Sequence, residues 1–393
     1  MAKKIALLAA ALFWLCGTHV LWGATYSSSS KKKRKSSVRT TASRKKTHSS
    51  KILKASAHRR RRRYNPWRLT SYGDSAAGDN PAGEDPIIRE AAVAALGKWN
   101  GAVAVVDPNN GRILTLVNQK LATESAFTPC STIKPITALA ALKEGVITPD
   151  TILRAEYRLR AYGSRNINLT TALAHSSNNY FSQVGRMLGF DRLTEYAREM
   201  GLGEKTAEDI PGESAGHFPL EPPKEGGVGM VAYDGLTFDV TTLQMAAMVS
   251  AIANGGTLYE LQYPRTPEEV ADFQPKVRRQ LNDLAPYFAD VKAGMAAAVL
   301  YGTARFAYDP QNDIYGKTGT CTEDGARLGW FVSYSGQQEP KYAVVVLLRG
   351  GRSMMGPHAA EIGGKLYHDL NVKNQRAEMP LPAITLIGPR TRW

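Results

Sequence analysis

In "TPCSTIKP", residues 128–135, a serine and a lysine stand three positions apart between two prolines. Positions i and i+3 of a helix share a face, so Ser131 and Lys134 are expected side by side. Pro129 and Pro135 place the start of that helix here, since proline is tolerated near a first turn and not deep inside. A lysine held uncharged beside a hydroxyl can take its proton and create a nucleophile, and burial next to another cation favours the uncharged form. Amide N–H groups at a helix start point at such a serine, which suits an oxyanion forming there. Alone, the pattern also describes a capped helix with a solvated lysine, so the chemistry needs partners from elsewhere in the chain.

Two further short stretches supply them. "AHSSNNYF" holds Ser176, Ser177 and Asn178, and "YGKTGTC" holds Lys317, Thr318, Gly319 and Thr320 on a β-rich run. Singly each is weak, and "SSN" is an ordinary turn sequence. In this order, S-x-x-K, S-x-N and K-T-G-T resemble the penicillin-binding protein and serine β-lactamase superfamily. The resemblance covers nearly all of residues 87–370. "GAVAVVDPNNGRIL" is similar to the family's first hairpin, and "SSNNYFSQVGRMLGFDRLTEYAREMGLG" to the stretch after its second motif. "VTTLQMAAMVSAIANGG" and "VKAGMAAAVLYGTA" resemble segments found in transpeptidases more than in β-lactamases.

The resemblance implies a role for each residue. Ser131 is the acylated nucleophile and Lys134 its general base. Ser176 relays the proton to the leaving amine, and Asn178 holds the substrate backbone amide. Lys317, Thr318 and Thr320 bind a terminal carboxylate by charge and hydroxyl hydrogen bonds. Gly319 leaves the strand bare, so that an extended peptide lies along it as an added strand. The amides of Ser131 and Thr320 form the oxyanion hole. His175, beside Ser176, reads as structural, because a lysine mechanism leaves it nothing to do. The resemblance extends to the cysteines. Class A carbapenem-hydrolysing β-lactamases are similar at the positions of Cys130 and Cys321, where they carry a disulfide. Export would supply the oxidising compartment such a bond requires.

The elements that must position these residues follow from pattern. "IIREAAVAALGKW" reads as an opening helix, and "GAVAVVDPNNGRILTLVN" as two strands around a Pro-Asn-Asn-Gly turn. From Ser131 to about residue 270 the texture is mostly helical. Strands return late, in "IYGKTGTC", "GWFVSYS" and "KYAVVVLLRG", and "PHAAEIGGKLYHDL" reads as a closing helix. A sheet built from both ends of the chain around a helical insert is one α+β domain. The resemblance implies a central antiparallel sheet flanked by helices, plus a helical subdomain. The expected organisation is a signal peptide or membrane anchor at 1–24 and a basic disordered tail and linker at 25–86. The penicillin-binding transpeptidase domain then covers 87–370, with a short tail at 371–393.

The charge of the 393-residue chain is +15, and it is localised. Residues 25–70 carry 17 Lys or Arg and no acid, and Lys3 and Lys4 add two. The 31 remaining bases then face all 35 acids within residues 71–393, a balance of −4. A Lys/Arg/Ser run without apolar periodicity is expected to be disordered and to bind an anionic membrane or wall polymer by sequence-independent electrostatics. Nucleic acid is not an expected partner, because "MAKKIALLAAALFWLCG" has the basic start and apolar run of an export signal, with small residues near Gly23 and Ala24 for cleavage. The expected location is the periplasm or the outer face of the cytoplasmic membrane. No cofactor or metal is implied: no H-E-x-x-H spacing occurs, and "GGVGM" at 226–230 is too short for a phosphate loop.

Asn178 and Lys317 lie 139 residues apart, an interval that resembles monofunctional transpeptidases and exceeds that usual in β-lactamases. The expected activity is that of a peptidoglycan D,D-transpeptidase or D,D-peptidase. It acts on D-Ala-D-Ala stem peptides through an acyl-serine and is acylated by β-lactam antibiotics. A serine β-lactamase and a non-catalytic penicillin-sensing or wall-binding module are the alternatives.

Overall fold

The computed structural model describes residues 69–155, 166–207, 209–224 and 227–378. The export segment, most of the basic tail and the end of the C-terminal tail fall outside these residues. Among the described residues no helix is long and apolar enough to cross a membrane.

The chain opens with helix α1 (Pro86–Leu96), strands β1 (Gly101–Val106) and β2 (Ile113–Val117), and α2 (Gln119–Glu124). A 3-10 turn at Cys130–Ile133 runs into α3 (Lys134–Lys143). The helical insert follows, with a two-stranded ribbon of β3 (Leu153–Arg154) and β4 (Asn166–Ile167) near its start. It contains α4 (Leu169–Ala174), α5 (Asn178–Leu188), α6 (Phe190–Glu199), α7 (Gly227–Asp234) and α8 (Thr242–Ala253). A second ribbon pairs β5 (Thr257–Tyr259) with β6 (Val277–Gln280) around α9 (Pro267–Ala271). Helix α10 (Phe288–Leu300), strands β7 (Ile314–Glu323), β8 (Ala326–Ser335) and β9 (Tyr342–Gly350), and helix α11 (Gly356–Glu378) complete the chain.

Five strands form one antiparallel sheet in the order β2-β1-β9-β8-β7, so the first hairpin is stitched to the last three strands through β1 and β9. This α+β arrangement, a sheet made from both chain ends, is the one the pattern of strands and helices implied. The run "GAVAVV" lacks polar alternation because both faces of the sheet are covered. Ala102, Ala104 and Val106 face the core shared with α3 and α8, whereas Val103 and Val105 face the core shared with α1 and α11. Helix α8 is buried at every position, and a capping box between Thr241 and Gln244 satisfies its first amides. In the β1–β2 turn Gly111 takes the left-handed conformation (φ 78°) that the Asn-Gly sequence anticipates.

Residues 69–85, read from composition as linker, are laid against the sheet. The Ser71 hydroxyl accepts the Gly351 amide at 2.8 Å, and the Ser75 hydroxyl donates to Trp99 O at 2.8 Å. Tyr72 stacks on Trp99 with ring centroids 4.9 Å apart. Turn-rich composition marks irregular backbone, not absence of packing; the small polar residues here satisfy backbone groups at the sheet's end.

Candidate active site

The sheet ends at an edge strand, β7, and the turn before α3 is pressed against it. Gly319 makes this approach possible: a Cβ there would lie 2.9 Å from Pro129 O and 3.1 Å from Thr132 Cγ2. Cys130, with φ 52°, and Cys321 on β7 are joined by a disulfide, their Cα atoms 5.6 Å apart. Further bonds tie the same turn down. Trp330 Nε1 donates to Thr128 O at 3.0 Å, and Glu323 accepts from the Thr128 hydroxyl at 2.7 Å. The spacing argument expected Ser131 in the first turn of an α-helix; the structure tightens that turn to 3-10 geometry, in which i and i+3 side chains eclipse. Lys134 Nζ thereby lies 2.9 Å from Ser131 Oγ.

Lys134 is fully buried. Its Nζ also lies 2.9 Å from both the carbonyl and the hydroxyl oxygen of Ser176, and 2.7 Å from Asn178 Oδ1. The "SSN" turn divides these duties by position. Ser177 caps α5, its hydroxyl accepting from the Tyr180 amide at 3.2 Å. Ser176, forced to φ 54° between α4 and α5, turns its side chain into the cleft. From the other side Lys317, also fully buried, brings its Nζ to 2.9 Å from Ser176 Oγ and donates to Thr318 O at 2.7 Å. One hydroxyl thus sits between two lysine amines. Burial first, and the positive charge of Lys134 second, push the Lys317 ammonium well below the usual lysine range. That shift leaves fewer positive charges around Ser176 than two ordinary lysines would place there.

The cleft over these groups, about 290 Å³, is lined by Ser131, Ser176, Asn178, Thr318 and Thr320, all singled out from the motifs. It is also lined by His175, Thr303, Arg327 and Pro357. His175, expected to be structural, therefore faces the cleft, its ring 5.8 Å from that of Tyr301. Thr303 lies in the "YGTA" segment, which carried a family likeness but no role. Arg327 has no local signal, because only the β7–β8 register, which pairs it with Thr322, brings it to the cleft end of the strand. Lys317, Gly319 and the two cysteines are not among the lining residues. Among the described residues no group of His, Cys, Asp or Glu side chains could hold a metal ion.

A serine hydroxyl with an adjacent amine, a second hydroxyl bridging two amines, and a hydroxyl-bearing edge strand together suit acyl transfer from a peptide ending in a carboxylate. Comparison with known proteins agrees. Residues 101–368 match the model of the penicillin binding protein transpeptidase domain. Stage V sporulation protein D of Bacillus subtilis is 29% identical over 320 residues, covering 69% of this chain and 49% of that protein. Peptidoglycan D,D-transpeptidase MrdA of Haemophilus influenzae is 28% identical over 349 residues, covering 68% of this chain and 53% of that protein. The chain thus spans about half the length of these relatives. Its fold is shared with a crystal structure of Pseudomonas aeruginosa PBP2 in complex with WCK 5153. The TM-score is 0.63 at 23% identity, over 76% of this chain and 78% of that one.

Proposed function

Since this chain belongs to the penicillin binding protein transpeptidase family, we propose that it is a peptidoglycan D,D-transpeptidase working through an acyl-enzyme on Ser131. The observation that carries this reading is the unbroken series Ser131 Oγ, Lys134 Nζ, Ser176 Oγ and Lys317 Nζ, each 2.9 Å from the next. With its amine uncharged, Lys134 takes the Ser131 proton as Oγ attacks the carbonyl of the penultimate D-Ala. The oxyanion forms against the amides of Ser131 and Thr320. As the C–N bond breaks, the proton passes by way of the Ser176 hydroxyl to the departing amine of the terminal D-Ala. An amine from a second stem peptide then attacks the ester, and its proton returns along the same route. Asn178 holds the donor backbone, and Lys317, Thr318 and Thr320 hold the terminal carboxylate. β-Lactams acylate the same serine.

The catalytic domain works outside the cytoplasmic membrane, and the basic run of residues 25–70 holds it near anionic lipid or wall polymer. The test is fluorescent penicillin labelling, followed by a D-Ala-D-Ala peptide assay with an added acceptor amine. A lasting adduct with release of D-Ala and formation of the cross-linked product is expected. Adduct hydrolysis within seconds would identify a β-lactamase, and a lasting adduct without D-Ala release a sensor.

A further inference from the structure

We propose that Thr303 is a positioning residue for the carboxylate end of the substrate, acting through Thr318; this rests on the reading of Thr318 as a carboxylate ligand. Thr303 is held from two sides. Its amide donates to Ala174 O at 2.9 Å, and the preceding Gly302 lies so close that a Cβ there would be 2.1 Å from the same carbonyl. Ala174 is the last residue of α4, two before Ser176. On the other side Thr303 Oγ1 is 2.6 Å from Thr318 Oγ1. Thr318 is itself pinned against the start of α11, where a Cβ on Gly356 would come within 2.8 Å of the Thr318 Cβ. Thr303 therefore spaces the strand bearing Lys317 and Thr318 from the turn bearing Ser176 and Asn178.

Proton placement between the two hydroxyls sets its chemical effect. Only one hydrogen can lie between two oxygens 2.6 Å apart. When Thr318 donates to Thr303, no Thr318 hydrogen is left for a ligand. When Thr303 donates, the Thr318 O–H is free to point at an anion in the cleft, and a carboxylate selects that arrangement. Thr320 shows the same design with a different donor: its Oγ1 accepts the Gly356 amide at 2.8 Å, which leaves its hydrogen for the ligand. Each of the two β7 threonines that line the cleft thus has an acceptor position that can be filled from behind, Thr320 by a main-chain amide and Thr318 by Thr303.

The experiment compares acylation of the full-length protein by benzylpenicillin and by its methyl ester, which lacks the anionic carboxylate. Thr303→Val should lower the second-order acylation constant for the acid by about tenfold, the worth of one charge-assisted hydrogen bond, and leave that for the ester unchanged within about twofold. With a D-Ala-D-Ala peptide, KM should rise while kcat changes little, and Thr303→Ser should restore both. In a Thr318→Val background, Thr303→Val should add nothing. Equal losses on acid and ester would reduce Thr303 to a structural residue and overturn the proposal. A full further loss on top of Thr318→Val would overturn its action through Thr318. Equal losses on acid and ester in Thr318→Val itself would remove the carboxylate reading, and the proposal with it. Should Thr303→Val lower the folded yield, Thr303→Ala, which adds no bulk, supplies the same acid-to-ester ratio.

Discussion

Two buried charged clusters in this molecule are built on opposite plans. In the first, Arg89 on α1 sits between two carboxylates, its guanidinium 2.8 Å from Asp79 and 3.3 Å from Glu84. The carboxylates also accept from other groups: Asp79 accepts the Asn118 and Gln119 amides at 2.9 and 2.8 Å, and Glu84 accepts from Gln119 Nε2 at 3.0 Å and from the Tyr263 hydroxyl. Burial and the Glu84 charge push the Tyr263 phenol far up, so it stays a donor. In the second cluster, two lysines converge on one serine hydroxyl. Asp234 at the end of α7, on which the Lys134 charge acts, is pushed up by burial. Opposite charges bridged by these further hydrogen bonds hold the segment before α1 onto the sheet. Like charges held together against their repulsion are costly, and such arrangements are kept where a pKa must be moved. Left-handed backbone occurs in both: Asn118, whose amide donates to Asp79, has φ 60°, and Ser176, between the two lysines, has φ 54°.

Mutations should separate the two clusters cleanly. Ser131→Ala should abolish covalent penicillin labelling while the thermal midpoint stays unchanged; intact-mass detection of an adduct on Ser176 or Ser177 would break the division of roles. Lys134→Ala should slow acylation by two orders of magnitude or more, as expected for loss of a positioned base. Near-normal stopped-flow rates would place Lys134 in the same structural class as Arg89. Arg89→Ala should do the reverse. It leaves two buried carboxylates uncompensated and should cost about 3 kcal/mol or more of stability in a denaturant titration, with the acylation constant per folded molecule unchanged.

Two smaller effects sharpen the contrast. Replacing Cys130 and Cys321 together by serine should lower stability by about 2–4 kcal/mol, because the bond closes a loop of 191 residues. An unchanged denaturation midpoint would show that the bonds of Thr128 already hold the turn. Acylation should also rise with pH as the lysine pair loses its first proton, below the ordinary lysine range. Removing the neighbouring charge with Lys317→Met makes the remaining ammonium easier to keep, so that limb should move to higher pH. A pH profile that did not move would mean that the two amines are not electrically coupled.

Most of the motif chemistry was legible because it is local. Three positions between Ser131 and Lys134, the Asn-Gly turn of the first hairpin and the glycine of the third motif each express a constraint within a few residues. The apolar runs of β1 and β9 likewise announced buried strands. Residues 69–85 were misjudged as linker because Asp79 and Glu84 find their partners on α1, β2 and the chain around Tyr263, and composition records no partner. Thr303 and Arg327 escaped for the same reason.

By itself, the sequence determined which side chains could react and the periodicities of the elements that carry them. Only the tertiary structure decided that Lys134 and Lys317 meet on one hydroxyl, the second reaching Ser176 from 141 residues away. It also decided that Ser176 adopts a left-handed backbone and that Thr303 backs Thr318. The physical reason is that hydrophobic periodicity specifies faces and spans, whereas the ångström-scale placement of one polar side chain against another depends on how separate elements pack. Here that packing depends on the Gly319 approach, the Cys130–Cys321 bond and the contact of Gly302 with Ala174, none of which is a property of a single segment.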